Sequence, residues 1–217
     1  MRSCAFTRLE LVVVVVILLV LVFLLLPALS NYGKPAKRVT CAAQLKKIGY
    51  GMSVVAIDHT NLVAGGNNYS VLVPTNLGGS LEFAGTGQVF RHFQALSNEV
   101  VSTAALVCPS DSRRPSGDWR TLVNSNISYF ISVGADETMP NMLLAGDRHL
   151  DSLPPRKGGV LLLTTNTTLR WGLELHSGQG GNVVLADGSV PMLSASSLPT
   201  LISTDVTVAF TNRLEFP

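Results

Sequence analysis

The chain is poor in charge and in aromatic residues: Asp, Glu, Lys and Arg make up 14% of its 217 residues and Phe, Trp and Tyr 6%, with a formal net charge of +2. Such a thin and nearly balanced charge lacks the basic field that nucleic-acid binding needs, so no nucleic-acid partner is expected. Its four histidines, His59, His92, His149 and His176, are scattered. None stands in an H-x3-H or H-E-x-x-H spacing, so no metal or cofactor is read from local pattern. Ser177-Gly178-Gln179-Gly180-Gly181 lacks the Lys-Ser or Lys-Thr of a phosphate loop, and Gly85-Thr86-Gly87 lacks a third glycine opening a helix. Ser110 has no G-x-S-x-G elbow around it. No catalytic residue emerges, and the acid-containing spots Asp136-Glu137 and Asp147-Arg148-His149 read as solvated turns at strand edges. No repeat of twenty to fifty residues is present, which excludes a solenoid.

What the chain does have is an unbroken apolar stretch near its start. From Leu11 to Leu29 there are 19 residues without a charge, a helix of about 28 Å, close to the hydrocarbon thickness of a bilayer. Directly before it stands an acid, Glu10, which is costly near lipid unless compensated. A cleaved secretory signal would place its small-residue site at Ala28-Leu29-Ser30, but the 16 apolar residues before Pro27 exceed the usual hydrophobic region. A plain signal anchor accounts for the length and leaves Glu10 without a role.

After the span, Asn31-Tyr32-Gly33-Lys34-Pro35 reads as a break, and a second helix is expected to start near Pro35. Within it Cys41, Leu45, Ile48, Met52 and Val55 recur at helical spacing, with Gln44, Lys46 and Lys47 off the stripe. Beyond Asp58 the pattern changes to short apolar runs punctuated by Gly, Pro and Asn. Strands are expected at Val71–Val73, Ile127–Val133, Met142–Ala145, Val160–Leu163 and Val183–Ala186. Asp187-Gly188 joins Asn182–Ala186 to Ser189–Leu193 as a two-residue hairpin, and Pro191 places the second strand at an edge. Alternation in Trp171–His176 predicts a strand with Trp171, Leu173 and Leu175 on one face and His176 ending its polar side. The fold class expected is α+β: a long amino-terminal transmembrane helix, broken near Gly33, packed at its far end on a mostly antiparallel sheet.

The segment Ala5-Phe6-Thr7-Arg8-Leu9-Glu10 followed by the apolar helix resembles the amino terminus of type IV pilins and type II secretion pseudopilins. The resemblance implies prepilin-peptidase cleavage between Ala5 and Phe6, N-methylation of Phe6, retention of Glu10 as an assembly residue at the fifth mature position, and a helix kink at Pro27. Further along, CAAQLKKIGYGM, VCPSDS, ISYFISVGADE, LLAGDRHL and HSGQGGNVVLADGSV resemble, in order, pilin-like proteins with a carboxy-terminal His-x9-Asp-Gly segment. Here ten residues, Ser177 to Ala186, separate His176 from Asp187-Gly188. The organisation implied is a leader at 1–5, a transmembrane and assembly helix at 6–30, an amphipathic helix at 31–58 and an extracytoplasmic β-rich domain at 59–217.

The function expected is therefore that of a pilus or pseudopilus structural subunit, not an enzyme. Its partners would be the cytoplasmic membrane, prepilin peptidase and other pilin-like subunits. A permanently membrane-anchored extracytoplasmic binding or enzymatic domain is the alternative. Lys34, Lys37 and Arg38 after the span against Arg2 and Arg8 before it run counter to a domain outside, whereas two cysteines in the domain suit an oxidising compartment. With Cys4 in the leader, Cys41 and Cys108 remain, either as a bridge contributing roughly 4 kcal/mol or as two buried thiols. In the carboxy-terminal signature, His176 and Asp187 are expected at opposite ends of a strand pair, with His176 bracing the glycine loop and Asp187 capping its own turn.

Overall fold

The structure, a computed structural model, describes residues 7–31, 33–59, 69, 71–135, 139–164, 167–198 and 213–217. Two compact units divide it, Met1–Ala36 and Lys37–Pro217. In the first, α1 (Arg8–Asn31) is Val- and Leu-rich on every side. Among the described residues it is the one helix long and apolar enough to cross a membrane, over Arg8–Leu26, and none of that window is buried. Helix assignment continues through Pro27 to Asn31, and α2 (Gly33–Asp58) follows after a single position outside the described residues. The second helix thus starts at Gly33, two residues ahead of the proline expected to open it.

In the second unit the stripe Cys41, Leu45, Ile48, Met52 and Val55 of α2 is buried. It faces a sheet formed by β1 (Tyr129–Ser132), β2 (Leu143–Asp147), β4 (Val160–Leu162), β6 (Gly181–Leu185), β7 (Met192–Leu193) and β8 (Arg213–Glu215), in the order β4-β8-β1-β2-β6-β7. Every pairing in it is antiparallel. A separate ribbon pairs β3 (Leu150–Leu153) with β5 (Thr168–Trp171). Tyr129, Ile131, Leu144 and Val184 join the α2 stripe in one core. Phe130, Leu143, Val183 and Leu185 join Leu150, Leu169 and Trp171 of the ribbon in a second. The sheet is therefore covered on both faces, which is why β2 and β6 are buried at every position instead of alternating.

Two close approaches depend on glycine. A Cβ on Gly49 of α2 would lie 2.6 Å from Val184 Cγ2, so the helix backbone sits directly on the sheet there. A Cβ on Gly181 would lie 2.4 Å from the Trp171 ring, so the indole covers the start of β6. The Asp187-Gly188 hairpin is formed with Gly188 at φ +75 and its amide donating to Leu185 O at 2.8 Å. β7, with Pro191 just before it, lies at the sheet edge.

Two strand expectations are corrected. Val71–Val73 forms a turn, Leu72 N donating to Tyr69 O at 2.8 Å, because Pro74 follows and the Val73 carbonyl is taken by Leu81 N at 3.0 Å. The strand expected through His176 ends at Trp171: Leu173 is 83% exposed while Leu175 is buried, and His176–Gly178 is a 3-10 turn. Its neighbour is β3 rather than β6, so the strand pair from which the separation of His176 and Asp187 was argued does not form.

Candidate functional site

A buried polar cluster forms where α2, β2, β6 and the 176–178 turn converge. Arg38 and Cys41, three residues apart on α2, lie on one helix face. The Arg38 guanidinium donates to three carbonyls, Gln179 O at 3.4 Å, Gly181 O at 3.1 Å and Leu193 O at 2.8 Å. Arg38 thus braces the glycine loop alongside His176, whose carbonyl accepts from Gln179 N at 3.2 Å. Cys41 Sγ is bonded to Cys108 Sγ, with the two Cα atoms 5.0 Å apart. Cys108 follows the turn Thr103–Leu106, and Asp111 N closes the next turn on Cys108 O at 2.8 Å.

Asp147, the last residue of β2, has no solvent exposure. Its Oδ2 accepts from His176 Nε2 at 3.0 Å, from Asn182 N at 2.7 Å and from Asn182 Nδ2 at 3.0 Å. The solvated-turn reading of Asp147-Arg148-His149 is overturned at Asp147, since β6 and the 176–178 turn enclose it. Asp147 also attracts Arg38, whose pKa burial lowers and that carboxylate partly restores. A buried carboxylate with three donors and a nearby cation is compensated well enough to persist in a core. His176 Nε2 lies 3.9 Å from Cys108 Sγ. To reach these partners His176 adopts φ +52, the left-handed region, which a non-glycine residue enters at a cost.

Asp187 does not belong to this cluster. It is exposed at the hairpin turn, where its Oδ1 accepts from Ser189 N at 2.8 Å, while Lys46 Nζ of α2 donates to Gly188 O at 2.5 Å. Among the described residues no hydrogen bond or ion pair joins His176 to Asp187.

A second buried network links Ser80, His92 and Glu215. Ser80 Oγ is 2.8 Å from His92 Nδ1, and His92 Nε2 is 3.6 Å from Glu215 Oε2. Glu215 Oε1 also accepts from Gly85 N. Ser, His and Glu in series match the residue types of a nucleophilic triad, but all three have no solvent exposure. What the network does is fasten β8 to the loop before α3 (Val89–Gln94).

Nearer the surface, Arg148 donates to Asp111 through Nε at 2.8 Å and Nη2 at 3.0 Å. Burial raises the Asp111 pKa, but the hydrogen bonds and charge of Arg148, with Ser128 and the Arg113 amide, outweigh it and hold the group at about 2. Burial, reinforced by the Asp147 and Asp111 carboxylates, pushes the Tyr129 phenol well above its usual range, and that hydroxyl donates to Gln44 Oε1 at 2.7 Å.

At the amino terminus, Ala5 and Phe6 lie outside the described residues. Glu10 has a local partner that sequence reasoning passed over. Thr7 N and Thr7 Oγ1 each donate to Glu10 Oε2 at 2.9 Å, while Glu10 N donates back to Thr7 Oγ1 at 3.3 Å. This reciprocal pair is a capping box, and Thr7-Arg8-Leu9-Glu10 shows its T-x-x-E spacing in the sequence. No protein-family model, curated protein or solved structure matches the chain.

Proposed function

We propose that the chain is a structural subunit of the type IV pilus or type II secretion pseudopilus class. On this reading prepilin peptidase cleaves before Phe6 and methylates it, the chain is held in the cytoplasmic membrane with its domain outside, and α1 packs against its counterparts in a filament. The observation that carries the reading is α1 itself. Its apolar surface is exposed on every side over Arg8–Leu26, so it requires lipid or other helices around it, and one acid stands at its start. An α+β unit in which an amphipathic helix packs on an antiparallel sheet accords with a pilin-like fold. Mass spectrometry of the membrane form tests the reading: a chain beginning at N-methylated Phe6 is expected, and one beginning at Met1 or after Ser30 overturns it.

One observation favours the alternative of a permanently anchored domain. The Thr7 capping box gives Glu10 a role within its own helix, without any neighbouring subunit. Glutamine at this position can keep the box but not the charge. Glu10→Gln therefore separates the readings: an assembly residue neutralising a neighbour's amine loses filament incorporation, whereas a capping residue leaves membrane retention unchanged and no filament to lose.

A further inference from the structure

Cys41 Sγ, Cys108 Sγ and a ring nitrogen of His176 all lie within 4.8 Å of one another, and all three residues are buried. The sequence hides this constellation because its members stand at positions 41, 108 and 176, in α2, after one 3-10 turn and at the start of another. Two sulfurs and an imidazole nitrogen are the ligand set of a thiophilic divalent cation. Two further features point the same way. His176 is the one non-glycine residue with positive φ among the described residues, so the backbone is strained where the imidazole is delivered. Its Nδ1 and Asp147 Oδ1 are buried without a hydrogen-bond partner among the described residues, so the polar network that meets the sulfurs through Nε2 is not closed on itself.

We propose that Cys41, Cys108 and His176 form, in the dithiol chain, a buried Cys2His site for a cation of the zinc class, mutually exclusive with the disulfide. For a tetrahedral ion with Zn–S about 2.3 Å, the sulfurs must stand roughly 3.8 Å apart. Side-chain rotation supplies this separation while α2 and the 103–108 segment stay in place. His176 Nε2 becomes a ligand by shifting its proton to Nδ1. Asp147 Oδ2, 3.0 Å from Nε2, then loses the histidine donor but keeps both Asn182 donors, and the fourth position is left to a water. Binding converts two thiols to thiolates and releases two protons. A disulfide oxidant then takes two electrons from the thiolates and two protons from solvent, forming the Cys41–Cys108 bond, two reduced thiols of the oxidant and the free cation. The site would hold both cysteines together and away from wrong partners until the bridge forms.

The test uses the full chain in detergent, purified either under a phosphine reductant with added zinc or after oxidation, with metal measured by mass spectrometry. About one zinc per reduced chain and background zinc in the oxidised chain are expected. Cobalt added to the reduced chain should give a thiolate charge-transfer band that oxidation abolishes. His176→Ala should weaken zinc retention against a chelator by about a hundredfold or more, on the scale by which even outer-shell losses cost 10- to 100-fold. His149→Ala should leave retention unchanged. Equal zinc in both redox states, no zinc in the reduced chain, or retention in His176→Ala equal to the parent overturns the proposal. So does a reduced chain that binds zinc but lacks the near-ultraviolet dichroism of the oxidised one.

Discussion

α1 and α2 are similar in length, 24 and 26 residues, and opposite in how they use their side chains. On α1 the apolar residues run all the way round and its described side chains are exposed. On α2 they form one stripe, and that stripe is buried, bridged by a disulfide and flanked by Arg38 and Lys46 reaching the glycine loop and the hairpin. The difference teaches that hydrophobicity alone says what a helix avoids, while periodicity says what it packs on. α1 needs a surrounding medium; α2 needs one particular sheet.

The largest effect should come from removing the covalent link. Cys41→Ser with Cys108→Ser is expected to destabilise the domain by roughly 4 kcal/mol, as expected for a loop closing residues 67 positions apart. At about 2 to 4 °C per kcal/mol for a domain of this size, thermal unfolding should fall by about 10 °C. Next, Leu45→Ala, at a fully buried site of α2, should cost about 3 kcal/mol. Leu18→Ala on exposed α1 should leave domain unfolding within about 0.5 kcal/mol. Chemical denaturation of the three variants in one detergent checks both; equal losses at Leu18 and Leu45 would erase the contrast between the helices.

A smaller effect is expected from acid. The folded pKa of Asp111 is depressed to about 2, so its contribution is complete above the ordinary carboxylate range near 3.8 and is lost as pH falls through about 2. Arg148 is partly exposed, and solvent screening trims the loss to about 1 to 2 kcal/mol. Asp111→Asn should flatten stability against pH across that window. The smallest effect belongs to α1. Glu10→Ala removes half of the capping box and should fray the first turn, detectable as faster amide exchange near residues 8–11. Glu10→Gln should restore protection.

How much of this was legible in the sequence depends on how local the cause is. The α2 stripe follows from a 3.6-residue period, and the β6–β7 hairpin from a turn dipeptide between apolar runs. The Cys41–Cys108 contact was one of two open readings, because spacing cannot bring residues so far apart together. Asp147 read as a turn residue because Asp-Arg-His is polar, whereas the donors that bury it come from residues 176 and 182. β8 has a single apolar residue between Arg213 and Glu215, so its place between β4 and β1 left no pattern to find. The capping box differs: its four residues were contiguous and readable, and the apolar run beside them drew attention away.

The position of β8 also sets a schedule for biosynthesis. Although it is the last strand in chain order, it enters the interior of the sheet, between β4 and β1, and its Glu215 reaches back to the loop before α3. A ribosome adding about 5 to 20 residues per second needs about 10 to 30 s to travel from the end of α2 to this strand. In the second half of that interval β1 has been made and lacks its neighbour on one side. A chain that halts before Arg213 leaves that edge open for good, so premature termination even near residue 212 should yield a product recognised by quality-control proteases rather than a slightly shortened domain.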